Sequence, residues 1–237
     1  MRKYYTRPCN FYYGNYAKKL IKKNKALPLA GNKNIAFNHI EIFNREKKGV
    51  IKSQFCEISE IKKFNKKKLF KIKLDLKKIT SKRKNILGLK LQNPNIMGVL
   101  NITPDSFSDG GKFFKDSEAY KQADKMINDG ASIIDIGGES TRPGSKDIDD
   151  KNEWKRVKNT IIKLKKKFPK TTLSLDTRKT YVMLKGIEND IDIINDVSGL
   201  KFDNRSFKVI TSKKIPFVLH HMQGTPKNMQ NNPKYDD

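Results

Sequence analysis

Polar side chains that could bind a substrate or a metal ion follow each of five short apolar runs in the second half of the chain. The runs lead into Asn101-Ile-Thr-Pro-Asp, Glu139-Ser-Thr-Arg, Asp176-Thr-Arg, Asn195-Asp and His220-His. Carboxylates and amides bind planar polar ligands, guanidinium groups bind anions, and amide oxygens suit Mg²⁺. One such segment is also what an ordinary strand and turn contains. Its repetition along the chain favours a site assembled from several strand ends.

The apolar runs have the length of buried strands, and segments of helical length separate them. The runs are Ile96–Leu100, Ser132–Gly138, Thr172–Leu175, Ile191–Ile194 and Phe217–Leu219. Two intervening segments repeat apolar residues at helical spacing: Ala119, Ala123, Met126 and Ile127, then Trp154, Val157, Ile161, Leu164 and Phe168. Gly130 and Pro169 are the expected stops. This alternation predicts an α/β fold with a parallel sheet, either a (β/α) barrel or a doubly wound sheet.

The same segments resemble the dihydropteroate synthase family. Asn101–Gly111 and Ile134–Gly144 resemble its two signature segments. Three further blocks follow in the family's order: Ser174–Thr177, Ile194–Val197 and His221–Gln230. Several long motifs in order are far more specific than one short pattern. The resemblance implies a TIM-type (β/α) barrel that condenses 6-hydroxymethyl-7,8-dihydropterin pyrophosphate with p-aminobenzoate. The product is 7,8-dihydropteroate in folate biosynthesis, a target of sulfonamides.

Three side chains match positions at which the family binds the pterin or supports its site. Asp176 matches the family's pterin-binding aspartate. A carboxylate suits that role, because it accepts two donors of the aminopyrimidinone edge at once. Asn195 matches the pterin-binding asparagine. Asp135, inside the second strand, either hydrogen-bonds the pterin or only supports the barrel interior. Without the resemblance, Asp176 would be equally well explained as the cap of a helix opened by Thr177 and Arg178.

The resemblance also implies groups that handle the pyrophosphate and the second substrate. Asn101 matches the residue whose oxygen binds Mg²⁺, the implied cofactor. Thr141 matches a substrate-binding threonine, and Arg142 could meet phosphate or carboxylate. Two loops, Thr103–Gly111 and Gly137–Gly144, are expected to close over the substrates. Their loop-closure residues are Asp105, Ser106, Phe107 and Ser140. No covalent nucleophile is expected, because the bond to pyrophosphate breaks before the amine attacks.

Two departures from the family pattern affect these expectations. His220 stands where the family usually has a methionine against the pterin ring. Only 142 residues run from Ile96 to Asp237, against about 250 for a typical eight-unit barrel. The sequence therefore predicts the first five βα units only, in a chain incomplete at its C-terminus, and little or no synthase activity for the 237 residues alone.

Residues 1–90 form a strongly basic N-terminal extension. They hold 26 Lys and Arg against 5 Asp and Glu, whereas residues 91–237 hold 25 against 20. Such asymmetry suggests an anionic partner. A genome biased toward Lys, Asn and Ile gives the same charge, and no nucleic-acid motif accompanies it. We therefore expect no nucleic-acid partner. The aromatic cluster of Tyr4, Tyr5, Phe11, Tyr12, Tyr13 and Tyr16 is expected to pack this segment against the barrel rather than to stack on bases.

The extension also shows periodicity of its own. Leu69–Leu76 alternates apolar and polar residues as a half-buried strand does, and Ile35–Ile42 alternates more weakly. We predict a small αβ appendage over residues 1–90, a linker near Lys82–Pro94, and a pterin-binding barrel over residues 91–237. No run approaches the ~20 apolar residues of a membrane span. Two distant cysteines and no signal-peptide pattern predict a cytoplasmic protein, and the resemblance implies a homodimer when complete.

Two other functions stay open at this point. A pterin-dependent methyltransferase domain would share the aspartate and asparagine at the strand ends, but would not be expected to contain Thr-Pro-Asp-Ser-Phe-Ser. A non-catalytic basic protein built on a truncated barrel would bind nucleic acid or another partner through residues 1–90. Salt-dependent binding that disappears with those residues would distinguish it.

Overall fold

The structure is a computed structural model of the 237-residue chain. It describes residues 4–46, 50–103, 112–140, 147–225, 228 and 232–234, with backbone only for 112–116. The described residues divide into two compact units. Residues up to Ile86 belong to the first unit, and those from Pro94 through the last strand belong to the second. Among the described residues, no helix combines the length and apolar character needed to cross a membrane.

The first unit is a small antiparallel sheet with two α-helices. Its elements are β1 (Tyr4–Tyr13), α1 (Gly14–Lys22), β2 (Leu27–Leu29), β3 (Asn32–Arg45), β4 (Ile51–Glu57), a 3-10 helix (Ile58–Lys63) and α2 (Lys66–Thr80). The long strand β3 is central, because β1, β2 and β4 all pair with it. The predicted αβ appendage is confirmed, and the weakly alternating segment Ile35–Ile42 lies inside β3.

The strand predicted at Leu69–Leu76 was wrong, because this segment lies within α2. Asn65 caps the helix by accepting a hydrogen bond from the Lys68 N–H at 3.0 Å. The apolar residues also satisfy a helical period, since Leu69, Ile72, Leu76 and Ile79 are three or four residues apart. Ile72 and Leu76 are buried against Phe37, Ile40 and Ile42. Lysine and leucine favour helix as well. Packing and propensity therefore both favour a helix over the strand that the alternating pattern predicted.

Part of the aromatic cluster packs inside the first unit. The rings of Tyr12 and Tyr16 meet edge to face with centroids 5.5 Å apart, and those of Phe11 and Phe37 lie 6.4 Å apart. Such pairs add to the apolar burial that a small unit needs. Tyr13 remains 66% exposed, so only part of the aromatic cluster is packed within this unit.

The second unit alternates strictly between strands and helices. Its elements are β5 (Met97–Asn101), α3 (Lys112–Asn128), β6 (Ile133–Gly137), α4 (Asp150–Lys167), β7 (Thr172–Asp176), α5 (Thr180–Ile187), β8 (Ile193–Asp196), α6 (Ser206–Lys213) and β9 (Phe217–Leu219). All neighbouring strands are parallel, in the order β5-β6-β7-β8-β9. The order never reverses as it does in a doubly wound sheet. The predicted (β/α) barrel architecture is confirmed for five parallel strands, with a helix after each of the first four.

The core of the second unit confirms the helical faces read from periodicity. Ala119 and Ala123 of α3 and Val157 and Ile161 of α4 are fully buried. Gly130 ends the first of these segments with φ of +104°, a conformation that glycine adopts without strain. The fourth strand begins two residues later than the predicted run. Its end at Asp196 places Asn195 inside the strand rather than after it.

Candidate active site

The carboxyl ends of four adjacent strands bring the predicted polar residues together. Asn101 is paired in register with Gly137, Gly137 with Asp176, and Asp176 with Asn195. Gly137 separates two of these side chains and leaves room between them. A β-carbon built on it would lie 3.3 Å from Asn101 Oδ1 and 3.6 Å from Asp176 Oδ2. The amide and the carboxylate therefore face the same small space above Gly137.

Asp135 and Asn195 are joined across the sheet. Asn195 Nδ2 donates to Asp135 Oδ2 at 2.9 Å, which fixes the orientation of the amide. Asp135 is buried, and among the described residues its Oδ1 has no hydrogen-bond partner. A buried oxygen in that state is costly unless something donates to it. One oxygen thus supports Asn195, and the other is an acceptor that a bound donor would satisfy.

Asp176 lies half-buried among other acids, and its protonation is unusual. Burial, followed by the negative charges of neighbouring carboxylates, raises the pKa of Asp176 to about 7. Those neighbours are, in decreasing effect, Asp135, Glu153, Asp196 and Glu139. The carboxyl group is therefore close to half protonated at neutral pH. Shifts of this size, from burial combined with charge, are typical of functional sites.

The alternative role for Asp176, as the cap of the next helix, was wrong. Helix α5 begins at Thr180, and the N-cap position is Lys179. Thr177 is not helical either, since its N–H donates to the Asn195 carbonyl at 3.0 Å. Asp176 therefore ends a strand with its carboxylate left for other partners.

Directly behind these strand ends lies a buried charge cluster of Glu139, Glu153, Arg178 and Lys179. Each of the four residues is at most 8% exposed. Lys179 Nζ lies 2.8 Å from Glu139 Oε1 and 2.6 Å from Glu153 Oε2, and Arg178 Nε lies 2.9 Å from Glu139 Oε2. Two acids and two bases balance, which is what makes such burial tolerable. The cluster ties α4 and the connections after β6 and β7 to one another.

The two acids of the cluster respond differently to burial. Burial raises the pKa of Glu153. Burial also acts to raise the pKa of Glu139, but hydrogen bonds from Arg178, Lys179 and the Ile148 N–H outweigh it, and the pKa falls below its ordinary value. Glu139 is therefore the ionised centre of the cluster.

Sequence reasoning missed this cluster, although one signal was present. Glu153 stands four residues before Val157 on the apolar stripe of α4, at a position where an acid would be buried and need a partner. The position of Arg178 at the expected opening of a helix obscured its role. Glu139 carried no separate signal within its glycine-rich segment.

Only part of the predicted site falls within the described residues. Asn101, Asp135, Asp176 and Asn195 are brought together, and Ser140 is half-buried at the start of the connection after β6. Thr141, Arg142, Asp105, Ser106 and Phe107 lie outside the described residues, and their roles stay predictions. The exposed His220 ring places Nδ1 2.9 Å from the Val197 carbonyl.

Comparison with known proteins agrees with this geometry. The family model for pterin binding enzymes matches residues 97–237, which cover all five strands of the second unit. The chain belongs to the pterin-binding enzyme family. The match leaves most of the first unit outside it.

Several relatives and solved structures that resemble this chain are dihydropteroate synthases. The Escherichia coli K12 enzyme is 43% identical over 150 residues, covering 63% of this chain and 52% of that enzyme. A Yersinia pestis synthase with a sulfonamide drug complex matches at TM-score 0.57 and 40% identity, over 65% of this chain and 56% of that one. A Xanthomonas albilineans synthase with 4-aminobenzoic acid matches at TM-score 0.56 and 37% identity, over 63% of this chain and 52% of that one. The chain spans about half the length of the curated relatives it matches.

A divalent cation fits the described side chains only if most of its ligands come from water and substrate. Among the described residues, no group of three or more His, Cys, Asp or Glu side chains is placed to hold a metal ion. Mg²⁺ commonly takes one or two protein oxygens and completes its shell with water and substrate phosphate. The Asn101 amide oxygen, at an exposed strand end, suits that use.

Proposed function

We propose that the second unit is the pterin-binding part of a dihydropteroate synthase. The proposed reaction joins 6-hydroxymethyl-7,8-dihydropterin pyrophosphate to p-aminobenzoate and releases pyrophosphate. The observation that carries the proposal is the convergence of Asp135, Asp176 and Asn195 on adjacent strands, with Asn195 hydrogen-bonded to Asp135. The 43% identity to the E. coli synthase supports it.

These three side chains supply the groups that a pterin edge needs. The edge carries adjacent N–H donors, which an ionised Asp176 would accept as a charge-assisted pair. Asn195 offers an amide whose orientation Asp135 already fixes. The unsatisfied Oδ1 of Asp135 would accept one more donor. Recognition would therefore shift Asp176 toward its charged form.

Release of pyrophosphate requires stabilisation of the departing oxyanions. Asn101 would hold Mg²⁺ together with the substrate phosphates, and the ion when bound would neutralise the developing charge. Thr141 and Arg142 are proposed to contact the substrates, with Asp105, Ser106, Phe107 and Ser140 excluding water around them. The Xanthomonas structure with 4-aminobenzoic acid and the Yersinia complex with a sulfonamide drug support a p-aminobenzoate site in this protein.

Titration of the pterin pyrophosphate into the 237-residue chain in the presence of Mg²⁺ tests the proposal, with EDTA as the matched control. Binding that EDTA weakens is the expected result, with little or no incorporation of labelled p-aminobenzoate by these residues alone. Failure to bind the pterin pyrophosphate would contradict the proposal. We further propose a cytoplasmic homodimer, which sedimentation of the chain would check.

A further inference from the structure

We propose that Arg178 is a positioning residue that joins the connections following β6, β7 and β8 on the site face. This role rests on the proposed function, because the three connections follow the strands that carry Asp135, Asp176 and Asn195. Arg178 itself follows β7, two residues after Asp176. It is 8% exposed, so its guanidinium is a built part of the interior rather than a surface charge.

The guanidinium contacts both ends of the connection between β6 and α4. Arg178 Nε donates to Glu139 Oε2 at 2.9 Å, and its Nη2 donates to Asp147 Oδ1 at 2.9 Å. Glu139 and Asp147 lie on either side of residues 140–146. The Ile148 N–H also donates to Glu139, at 3.2 Å to Oε1. One side chain thereby joins Glu139 to Asp147.

A third contact extends the arrangement to the connection after β8. The guanidinium carbon lies 4.0 Å from the centroid of the Phe202 ring. A planar cation stacked on an aromatic face is favourable, and more so when desolvated. Asn195 belongs to β8, the strand that precedes this connection. The three contacts together join Arg178 to the connections that follow β6 and β8.

The geometry requires an arginine. Its planar fork donates in two directions while its face stacks on a ring, which an ammonium group cannot do. Loss of Arg178 should still leave a folded protein. Glu139 keeps its hydrogen bond from Lys179, so this buried acid is not left without a donor. Lys179 matters more for folding than Arg178, because of these two bases it is Lys179 that donates to the buried Glu153.

Hydrogen exchange tests the contacts of Arg178 with Glu139 and Asp147 directly, without any ligand. Arg178→Gln and Arg178→Lys are compared with the unmodified chain. The matched control is Arg205→Gln, which removes an exposed arginine paired with Asp203. The Ile148 amide is expected to exchange at least about tenfold faster in both Arg178 variants. Arg205→Gln should leave the exchange rate of the Ile148 amide unchanged. The amide of Leu175, in the buried strand β7, should exchange at the same rate in all three variants as in the unmodified chain. Equal rates at Ile148 in every variant would overturn the proposal.

Ligand binding tests the positioning role. Arg178→Gln should weaken binding of the bare pterin by about tenfold, because the connections that follow the strands of Asp135, Asp176 and Asn195 are no longer joined. Arg205→Gln should change the Kd less than about threefold. Equal Kd values in the two variants would overturn the role. If the unmodified chain binds no pterin, the proposed function fails, and the exchange rates still decide whether Arg178 holds the connection.

Discussion

At the scale of single residues, Asp176 connects burial to ligand choice. Its neighbours are acidic and its surroundings are partly dry, so the free protein holds a carboxyl group that resists ionisation. A pterin edge presents donors, and donors favour the ionised carboxylate. The ligand and the protein environment therefore act on this group in opposite directions.

Pterin affinity should rise with pH until Asp176 is ionised. With a free-state pKa of about 7, Kd should increase by about tenfold for each pH unit below 6 and become constant above pH 8. Near pH 7, binding should release about half a proton, because the ligand selects the charged form. Calorimetric titrations from pH 5.5 to 8.5, in two buffers of different ionisation enthalpy, would measure both effects. A flat profile would mean that another group binds the pterin edge.

The same raised pKa has a cost in stability with a definite sign. The folded protein holds the Asp176 proton more tightly than the unfolded chain, so ionisation destabilises the fold as pH rises from about 4 to 7. Asp176→Asn should then increase the free energy of unfolding at pH 8 by about 2 kcal/mol, after allowing for partial exposure of the carboxylate. The gain should vanish near pH 4. Urea unfolding at both pH values would check it, and a gain independent of pH would exclude ionisation of Asp176 as its cause.

At the scale of elements, the site depends on how closely β6 approaches α4. Gly138 follows β6, and a β-carbon built there would lie 2.9 Å from Val157 Cγ1 and 3.0 Å from the Glu153 carbonyl. The backbone of α4 cannot yield as a side chain can. The same approach brings Glu153 to Lys179.

Gly138→Ala should therefore lower the free energy of unfolding by about 1–3 kcal/mol. Gly98→Ala is the matched control, since its nearest neighbour is the flexible Met126 side chain, with Sδ at 2.8 Å. We expect the control to cost less than half as much. Thermal unfolding of the two variants side by side would show the difference, and equal costs would mean that α4 can move away from β6.

The second unit was largely predictable from sequence because two signals agreed there. Buried parallel strands form continuous apolar runs, and their helices show a clear 3.6-residue period. In α2 the signals conflicted: apolar residues at alternate positions also fell on a helical face, and packing on β3 decided the outcome. Local pattern alone contains no information about that packing.

The site was predictable only in part, for a related reason. Asp176 and Asn195 could be placed because strand ends meet at one edge of a parallel sheet. The Arg178 contacts could not, because Glu139 and Asp147 are far from it in sequence and their approach depends on tertiary structure. Glu153 was the one member of the charge cluster with a local signal.

At the scale of the whole molecule, the four described candidate site residues lie in the second unit. None of Asn101, Asp135, Asp176 or Asn195 belongs to residues 1–90, and the family match begins at residue 97. The first unit has its own core around Phe37, Ile40 and Ile72.

Removal of residues 1–90 should therefore leave the pterin Kd within about threefold of that of the whole chain, since no site side chain is lost. Titration of the trimmed and whole chains under one condition would measure this, with circular dichroism to confirm that the trimmed chain folds. A trimmed chain that folds but binds no pterin would show that the first unit contributes to the site.

The central claim is that Asp176 and its neighbouring strand ends bind a pterin. Titration of 6-hydroxymethyl-7,8-dihydropterin into the 237-residue chain at pH 8 tests it, beside Asp176→Asn and the exposed control Asp190→Asn. Asp190 has a φ of +62°, which asparagine tolerates, and it precedes β8 at the opposite end of the strand from Asn195. We expect binding by the unmodified chain and the control, and a loss of at least about a hundredfold in Asp176→Asn. Equal affinity in all three proteins would contradict it.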